Sequence, residues 1–239
     1  MKALVVEDQQ LFREAVADEL TFYGFNASTA EDGEEGLMAA SVADYDVILS
    51  DMRMPKRDGR WFLGELRKTQ KCAPPFIFMT GFTDLTPQDA FEMGADGFLG
   101  KPVDSDRLRA VVSKVCKPIE TRWEQKPDSP AKQIFVRNFD SIESEFTKTR
   151  ISLGRGGMFL AADETPLRTG DLVEFKIHFK EGPFRSLEGI GTIVWKRDSC
   201  LEPYLSGYGI DFEFLTEESL PEWLNHLRSK EIVPFVPKS

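Results

Sequence analysis

Five polar residues that could act together in one site lie directly after short apolar runs. They are Glu7, Asp8, Asp51, Thr80 and Lys101. The preceding apolar runs are typical of buried strands in a parallel sheet, whose carboxyl ends share one edge where ligands bind. Three carboxylates, a hydroxyl and an ammonium at one edge suit a divalent cation together with a phosphoryl group.

The elements that must position these residues alternate through the first half of the chain. Apolar runs predict strands at residues 3–6, 26–30, 46–49, 76–79 and 96–99. Helical spacing predicts helices at 11–23, 34–43, 61–69, 85–93 and 104–116. In the first helix we expect Leu11, Ala15, Val16 and Leu20 to form the buried face. Five such units predict an α/β domain with a doubly wound, five-stranded parallel sheet.

The residue types indicate specific chemistry at this edge. The cation would be Mg²⁺, because hard carboxylate and carbonyl oxygens are its preferred ligands. Asp8 and Asp51 follow adjacent strands and are the candidates for direct ligands. Asp51 is also the candidate nucleophile toward phosphorus. Lys101 would pair with one phosphoryl oxygen, and Thr80 would donate a hydrogen bond to another.

These motifs resemble those of the CheY-like receiver domains of two-component response regulators. The resemblance covers residues 1–118 and rests on Glu7-Asp8, the segment 51–55, Asp58-Gly59, Thr80-Gly81 and the segment 94–102. It implies that Asp51 accepts a phosphoryl group from a phosphohistidine of a sensor histidine kinase.

The resemblance also implies roles for other residues. The implied Mg²⁺ ligands are Glu7 (largely through water), Asp8, Asp51 and the backbone carbonyl of Arg53. Phe98 stands at the position of the family's aromatic switch, and phosphorylation would draw Thr80 inward and let Phe98 turn inward. The Lys101–Pro102 bond is expected to be cis. The altered surface would contact the chain's own second domain or another receiver in a homodimer.

The second half of the chain has closely spaced apolar runs separated by Gly and Pro. We predict strands at 132–137, 147–152, 157–161, 171–179, 187–195 and 208–214, and a closing helix at 217–228. Apolar residues alternate with polar ones between Val173 and Phe179, as in a half-buried antiparallel strand. The expected fold is a small antiparallel β-barrel over 132–239, after a linker at 119–131. Trp123 lies in this segment, and the sequence leaves open whether it packs on a domain.

This second half resembles PilZ domains. The resemblance rests on the segments 149–160, 166–175, 189–195 and 207–212. PilZ domains commonly bind cyclic di-GMP through an Arg-x-x-x-Arg segment and an Asp/Asn-x-Ser-x-x-Gly turn. In this chain Arg137 is followed four positions later by Ser141, and Arg150 stands where the turn has Asp or Asn.

Two interpretations of this divergent domain remain open. In the first, Arg137, Arg150, Ser152 and Arg155 form a nucleotide or phosphate site, because guanidinium groups bind phosphates and guanine edges. In the second, these arginines are solvated turn residues and the domain binds a protein partner, for example in a motility or polarity machine. The altered motifs favour the protein-binding interpretation over cyclic di-GMP binding.

Composition limits the other classes of function. The formal net charge is −10, and residues 119–239 carry 16 Lys and Arg against 20 Asp and Glu, so DNA binding is not expected. No apolar stretch has membrane-spanning length. The scattered Cys72, Cys116 and Cys200 favour a reducing cytoplasm. Beyond self-phosphotransfer and autodephosphorylation, no set of residues indicates an enzyme.

Overall fold

The chain divides into two compact units, Met1–Lys117 and Pro118–Ser239. The computed structural model describes residues 1–69, 73–81, 86–141, 150–162, 166–182, 185–197, 205–229 and 236–237. Some predicted features lie outside these residues. They are the start of the fourth helix at Leu85, the first part of the strand predicted at 147–152, and two of the three cysteines, Cys72 and Cys200.

In its described residues, the first unit is a five-stranded parallel sheet with five helices. The strands are β1 (Lys2–Val6), β2 (Asn26–Ala30), β3 (Val47–Asp51), β4 (Phe76–Thr80) and β5 (Gly97–Gly100). The helices are α1 (Gln10–Phe22), α2 (Gly33–Val42), α3 (Gly59–Thr69), α4 (Pro87–Glu92) and α5 (Ser105–Val115). The strand order is β2-β1-β3-β4-β5, and every pair is parallel. The predicted doubly wound α/β fold is confirmed.

The sheet is covered on both faces, which explains why its strands are continuous apolar runs. Alternate residues of β1, β3 and β4 belong to two separate clusters, one of which also contains Val16 of α1 and Leu108 of α5. The other contains Ala40 of α2 and Phe62 of α3. Parallel strands that are buried on both faces lack the alternation of half-buried strands.

Helix α1 buries a different face from the predicted one. Leu11 is 84% exposed and Ala15 is also exposed, whereas Arg13, Val16 and Leu20 are buried. The prediction was therefore wrong for Leu11 and Ala15 and correct for Val16 and Leu20. Because residues three and seven positions apart share a helix face, Arg13 belongs with the apolar pair.

The second unit is a curled, six-stranded mixed sheet with a closing helix. Its elements are β6 (Gln133–Phe139), β7 (Ile151–Leu153), β8 (Gly157–Ala161), β9 (Leu172–Phe179), β10 (Ser186–Arg197), β11 (Gly207–Leu215) and α6 (Ser219–Ser229). The strand order is β6-β9-β10-β11-β8-β7. The prediction of a purely antiparallel sheet was wrong for one pair, since β6 and β9 run parallel. The chain between them includes the β7–β8 pair and provides the long connection that parallel neighbours require.

The core of the second unit includes a residue that precedes its strands. Val173, Phe175, Ile177 and Phe179 are buried, as their alternation predicted. Trp123 is fully buried in the same cluster, and its carbonyl accepts a hydrogen bond of 2.9 Å from the Leu215 amide. The side chain of Trp123 is thus part of this core.

Candidate functional site

Three carboxylates meet at the carboxyl edge of the receiver-like sheet. Glu7 and Asp8 follow the end of β1, and Asp51 is the last residue of the adjacent strand β3. One carboxylate oxygen from each of the three lies within 4.8 Å of the others. Glu7 is fully buried and Asp51 is 6% exposed, whereas Asp8 faces solvent. The cluster is therefore closed on one side and open on the other.

Lys101 connects two of these carboxylates. Its Nζ lies 2.7 Å from Glu7 Oε2 and 2.9 Å from Asp51 Oδ2. Its backbone amide donates to the Thr80 carbonyl at 2.9 Å, which ties the end of β5 to the end of β4. The bond from Lys101 to Pro102 is cis, as predicted. The ammonium that the sequence placed at this edge is thus within hydrogen-bonding distance of the candidate nucleophile.

The backbone after Asp51 folds closely over the carboxylate. The Met52 amide donates to Asp51 Oδ1 at 2.7 Å, and the Gly59 amide donates to the Met52 carbonyl at 3.1 Å. A Cβ at Gly59 would lie 2.1 Å from the Asp51 carbonyl oxygen, so only glycine permits this approach. Asp58 Oδ1 accepts the Trp61 amide at 2.7 Å and starts α3 directly after the loop.

Burial and the Lys101 ammonium shift the pKa values of Glu7 and Asp51 in opposite directions. Burial raises the pKa of Glu7 and of Asp51, although Lys101 pulls both downward. The Asp51 carboxylate raises the pKa of Glu7 further. Burial by itself would lower the pKa of Lys101, but its hydrogen bonds to the two carboxylates outweigh burial, and its pKa is raised. The site therefore holds negative charge that a further cation would stabilise.

Thr80 and Phe98 occupy neighbouring strands. Thr80 is fully buried at the end of β4, and its hydroxyl donates to the Gly81 carbonyl at 3.4 Å. Phe98 pairs in register with Phe78 and is half-buried against the cluster that contains Phe62. Arg53 is exposed two residues after Asp51. Phe98 thus lies between the core and the surface.

Sequence reasoning did not identify three residues around the site. Arg13 donates to the backbone carbonyls of Glu7 and Asp8. Asp32 and Lys56 form an ion pair of 2.7 Å beside the loop that follows Asp51. The position of Arg13 three and seven residues before Val16 and Leu20 was a signal that it lies on the buried face. Nothing in the sequence pattern indicated the pairing of Asp32 with Lys56.

The acidic cluster fits a hard divalent cation. Three carboxylates converge, one of them open to solvent, and oxygen ligands with room for water suit Mg²⁺. The net negative charge that remains after Lys101 is counted also favours a cation. The residues present are typical of Mg²⁺ binding.

In the second unit, the four candidate ligand-binding residues are not all together. Arg137 and Arg150 line a cleft of about 480 Å³ with Asn138, Phe139, Ala161, Ala162, Leu205 and Ser206. Ser152 and Arg155 do not line this cleft. Ser152 is buried on β7, with no hydrogen-bond partner for its hydroxyl among the described residues, and Arg155 lies in the turn before β8. The structure therefore places two of the four candidate ligand-binding residues, Arg137 and Arg150, in one cleft.

Comparisons with known proteins agree with the geometry of the first unit. The family model of the response regulator receiver domain matches residues 3–113. A probable chemotaxis protein CheY of Rhizobium etli is 36% identical over 120 residues, which are 48% of this chain and 92% of that protein. This chain belongs to the response regulator family.

Two further proteins match about half of this chain. A probable transcriptional regulator ycf27 of Cyanidium caldarium is 33% identical over 120 residues, which are 50% of this chain and 47% of that protein. The chain thus spans about half the length of that relative. The solved receiver domain of Francisella response regulator 1452 has 30% identity and a TM-score of 0.45, and the match covers 48% of this chain and 96% of that one. None of the described helices has the length and apolarity needed to cross a membrane.

Proposed function

We propose that Asp51 is the phospho-acceptor of this response regulator and receives its phosphoryl group from a phosphohistidine of a sensor histidine kinase. One observation carries the proposal. The buried Asp51 carboxylate lies both in the three-carboxylate cluster and within 2.9 Å of Lys101 Nζ. A nucleophile, a cation site and a fixed ammonium therefore surround one point at the edge of the sheet.

The transfer is a displacement at phosphorus. An Asp51 carboxylate oxygen attacks, the O–P bond forms as the N–P bond of the phosphohistidine breaks, and the imidazole leaves with the electron pair and takes up a proton. Lys101 moves from its pairing with Asp51 to a phosphoryl oxygen, and it cancels part of the charge there. Later hydrolysis of the aspartyl phosphate restores Asp51, so the protein modifies itself and turns over no external substrate.

The residues that would hold Mg²⁺ are Asp8, Asp51 and the Arg53 carbonyl, with Glu7 acting largely through water. When bound, Mg²⁺ offsets the repulsion between the Asp51 carboxylate and the anionic phosphoryl group. Asp8 is the exposed member of the cluster and keeps one side of it open to the incoming group. Lys101 and Glu7 remain paired on the buried side.

The signal leaves the site through Thr80 and Phe98. The Thr80 hydroxyl turns from the Gly81 carbonyl to a phosphoryl oxygen, and the half-buried Phe98 moves into the space behind it. This changes the surface formed by α4, β5 and α5. The changed surface contacts the second unit or the receiver of another copy.

The second unit acts as a PilZ-like output domain that binds a protein partner, such as a component of a motility or polarity machine. Support comes from the departures in its motifs and from the positions of Ser152 and Arg155, which do not line the cleft that contains Arg137 and Arg150. Its negative net charge speaks against DNA as the partner.

Cyclic di-GMP binding is the second candidate function of this unit. It is favoured by the cleft in which two of the four candidate residues, Arg137 and Arg150, lie together. Calorimetric titration of cyclic di-GMP into the full chain, with and without beryllofluoride and Mg²⁺, tests it. Micromolar binding that Arg150→Ala weakens would support the nucleotide function, and no heat in either state would leave the protein-binding function.

The test of the phospho-acceptor uses acetyl phosphate as the donor. Wild-type protein is expected to take up acid-labile phosphate in the presence of Mg²⁺, and Asp51→Asn is expected to abolish the uptake. Asp44→Asn changes an exposed carboxylate before β3 and serves as the control, with uptake like that of wild type. Equal labelling of Asp51→Asn and wild type would show that Asp51 is not the nucleophile.

A further inference from the structure

The β2–α2 loop, residues 31 and 32, and the first residue of α2, Gly33, contact the two loops that follow β1 and β3 beside the acidic cluster. The first connection runs through Arg13. Its Nη1 donates to the Glu7 carbonyl at 2.5 Å and to the Asp8 carbonyl at 3.4 Å, and its Nη2 lies 3.2 Å from Glu31 Oε1. The Arg13 guanidinium is buried, and it connects the backbone of the β1–α1 loop to the Glu31 carboxylate.

The second connection is an ion pair between Asp32 and Lys56. Asp32 is 2% exposed, and its Oδ2 lies 2.7 Å from Lys56 Nζ. Its Oδ1 accepts the Glu34 and Glu35 amides at 3.0 Å each, which caps α2. Burial alone would raise the pKa of Asp32, but Lys56 and the two amides outweigh it, and the pKa is lowered. The carboxylate is thus fixed in its ionised form.

Backbone contacts bring the same two loops together. Lys56 has a φ of 60°, in the left-handed region that non-glycine residues rarely adopt. The Gly33 amide donates to the Arg57 carbonyl at 2.9 Å, and a Cβ at Gly33 would lie 2.7 Å from that oxygen. The Asp32–Lys56 pair thus connects the β2–α2 loop to this backbone position, five residues after Asp51.

We propose that the β2–α2 loop sets the Mg²⁺ affinity of the acidic cluster by positioning the two loops that carry it. Arg13, Asp32 and Lys56 are positioning residues in this arrangement, since they act through the backbone on either side of Asp8 and Asp51. The inference rests on the proposed function to the extent that the cluster binds Mg²⁺.

Charge and position predict opposite effects at Lys56. Lys56→Met removes a positive charge near a cation site, so the loss of Coulomb repulsion by itself would tighten Mg²⁺ binding. Loss of positioning would weaken it. Because 62% of the Lys56 side chain is exposed, its replacement does not leave a cavity in the core. The sign of the change in affinity therefore separates the two explanations.

The experiment is a calorimetric titration of MgCl₂ into the full chain in chelator-treated buffer. Partners of metal ligands commonly change affinity by about 10- to 100-fold, and for these more distant residues we expect Kd to rise about three- to tenfold in Lys56→Met and in Asp32→Asn. The double variant should match Lys56→Met, because both changes break the same pair. Lys68→Met is the matched control, since it breaks the exposed pair with Glu65 on α3, and its Kd should equal that of wild type.

Each outcome has a definite meaning. An unchanged or lower Kd in Lys56→Met would overturn the positioning role. If wild-type protein bound no Mg²⁺, the cation part of the proposed function would fail, and the inference would fail with it. If Asp32→Asn lost helix content in circular dichroism because of its capping role, Lys56→Met would still decide the result.

Discussion

At the scale of single residues, the receiver site places two carboxylates and one ammonium in a buried setting. Lys101 lies between Glu7 and Asp51, so each carboxylate has only part of a compensating charge. Burial raises the pKa of both carboxyl groups despite this ammonium. The arrangement lowers the stability of the metal-free protein at neutral pH and leaves negative charge at Asp51 that a cation would stabilise.

The pH dependence of stability follows from these shifts. The folded pKa of Asp51 lies above its unfolded value of about 3.9, so the native protein takes up a proton first as the pH falls. Its ionised form thus opposes folding at pH 7, and this effect disappears as the pH falls through the folded pKa toward 4. Asp51→Asn should therefore raise the melting temperature of the metal-free receiver at pH 7, with a gain that shrinks toward pH 4.

Differential scanning calorimetry of the full chain with chelator, across this pH range, measures the effect. Asp44→Asn is the control, because it removes the same charge from an exposed position before β3. A lower melting temperature for Asp51→Asn at pH 7 would contradict the prediction.

The raised pKa of Lys101 affects stability at high pH. The contribution of Lys101 to folding stability is fully present below about pH 10.4 and is lost as the pH rises through its folded pKa.

At the scale of elements, a partly buried ion pair lies at the amino ends of β4 and β5, opposite the site. Arg67 of α3 lies 2.7 Å from Asp96 Oδ2, just before β5, and it also donates to the Gly94 carbonyl at 3.0 Å. The Phe76 amide at the start of β4 donates to the same Asp96 oxygen at 3.0 Å. One carboxylate thus joins α3, β4 and β5 at the end of the sheet where no site lies.

Removing one partner of this pair should cost much more than changing an exposed lysine. Arg67→Met leaves the 3%-exposed Asp96 carboxylate without its guanidinium, and we expect the receiver to lose about 3 kcal/mol of unfolding free energy. Asp96→Asn should cost less, because an amide oxygen still accepts both hydrogen bonds. Hydrogen exchange of peptides covering 73–81 gives the local free energy of opening. Lys68→Met should change this free energy of opening by less than about 0.5 kcal/mol. An equal loss of opening free energy in Arg67→Met and Lys68→Met would show that the Arg67–Asp96 pair does not stabilise this end of the sheet.

At the scale of the whole molecule, the chain consists of two units with separate cores. The receiver has an apolar layer on each face of its sheet, whereas the second unit has one core inside a curled sheet. Trp123 belongs to the core of the second unit, where its ring contacts that of Phe212. In the sequence it lies shortly after Pro118, where the second unit begins. The segment after Pro118 is therefore part of what stabilises the second unit.

Trp123→Ala should destabilise the second unit while leaving the receiver unchanged. Replacing a fully buried tryptophan costs about 3–5 kcal/mol through lost contacts and the cavity left behind. Urea unfolding, monitored by hydrogen exchange of peptides from β9 and β11, measures the stability of the second unit. Phosphate uptake from acetyl phosphate measures the integrity of the receiver. Glu124→Ala, one residue later and exposed, is the control. Unchanged protection of β9 in Trp123→Ala would show that the core does not depend on this residue.

The sequence predicted the receiver well because its signals are local. Runs such as Ala3–Val6 and the polar residues directly after them identify strands and their carboxyl ends, and parallel order then brings those ends together. The fold of the receiver and the convergence of Glu7, Asp8, Asp51 and Lys101 required no further information. The six strands of the second unit were also recognisable from alternation and from Gly and Pro between them.

Other features depend on contacts between residues that are distant in the chain. Three examples are the parallel pairing of β6 with β9, the packing of Trp123 in the second core and the ion pair between Asp32 and Lys56. In each case the local sequence pattern does not indicate which distant segment is the partner. Helix periodicity likewise predicted a face of α1 with Leu11 and Ala15, whereas packing against the sheet buried the face with Arg13. By itself, the sequence determined the strands, the helices and which polar residues meet at the sheet edge. Only the tertiary structure decided which loops support that edge, because such support comes from a few long-range hydrogen bonds and ion pairs rather than from a repeating pattern.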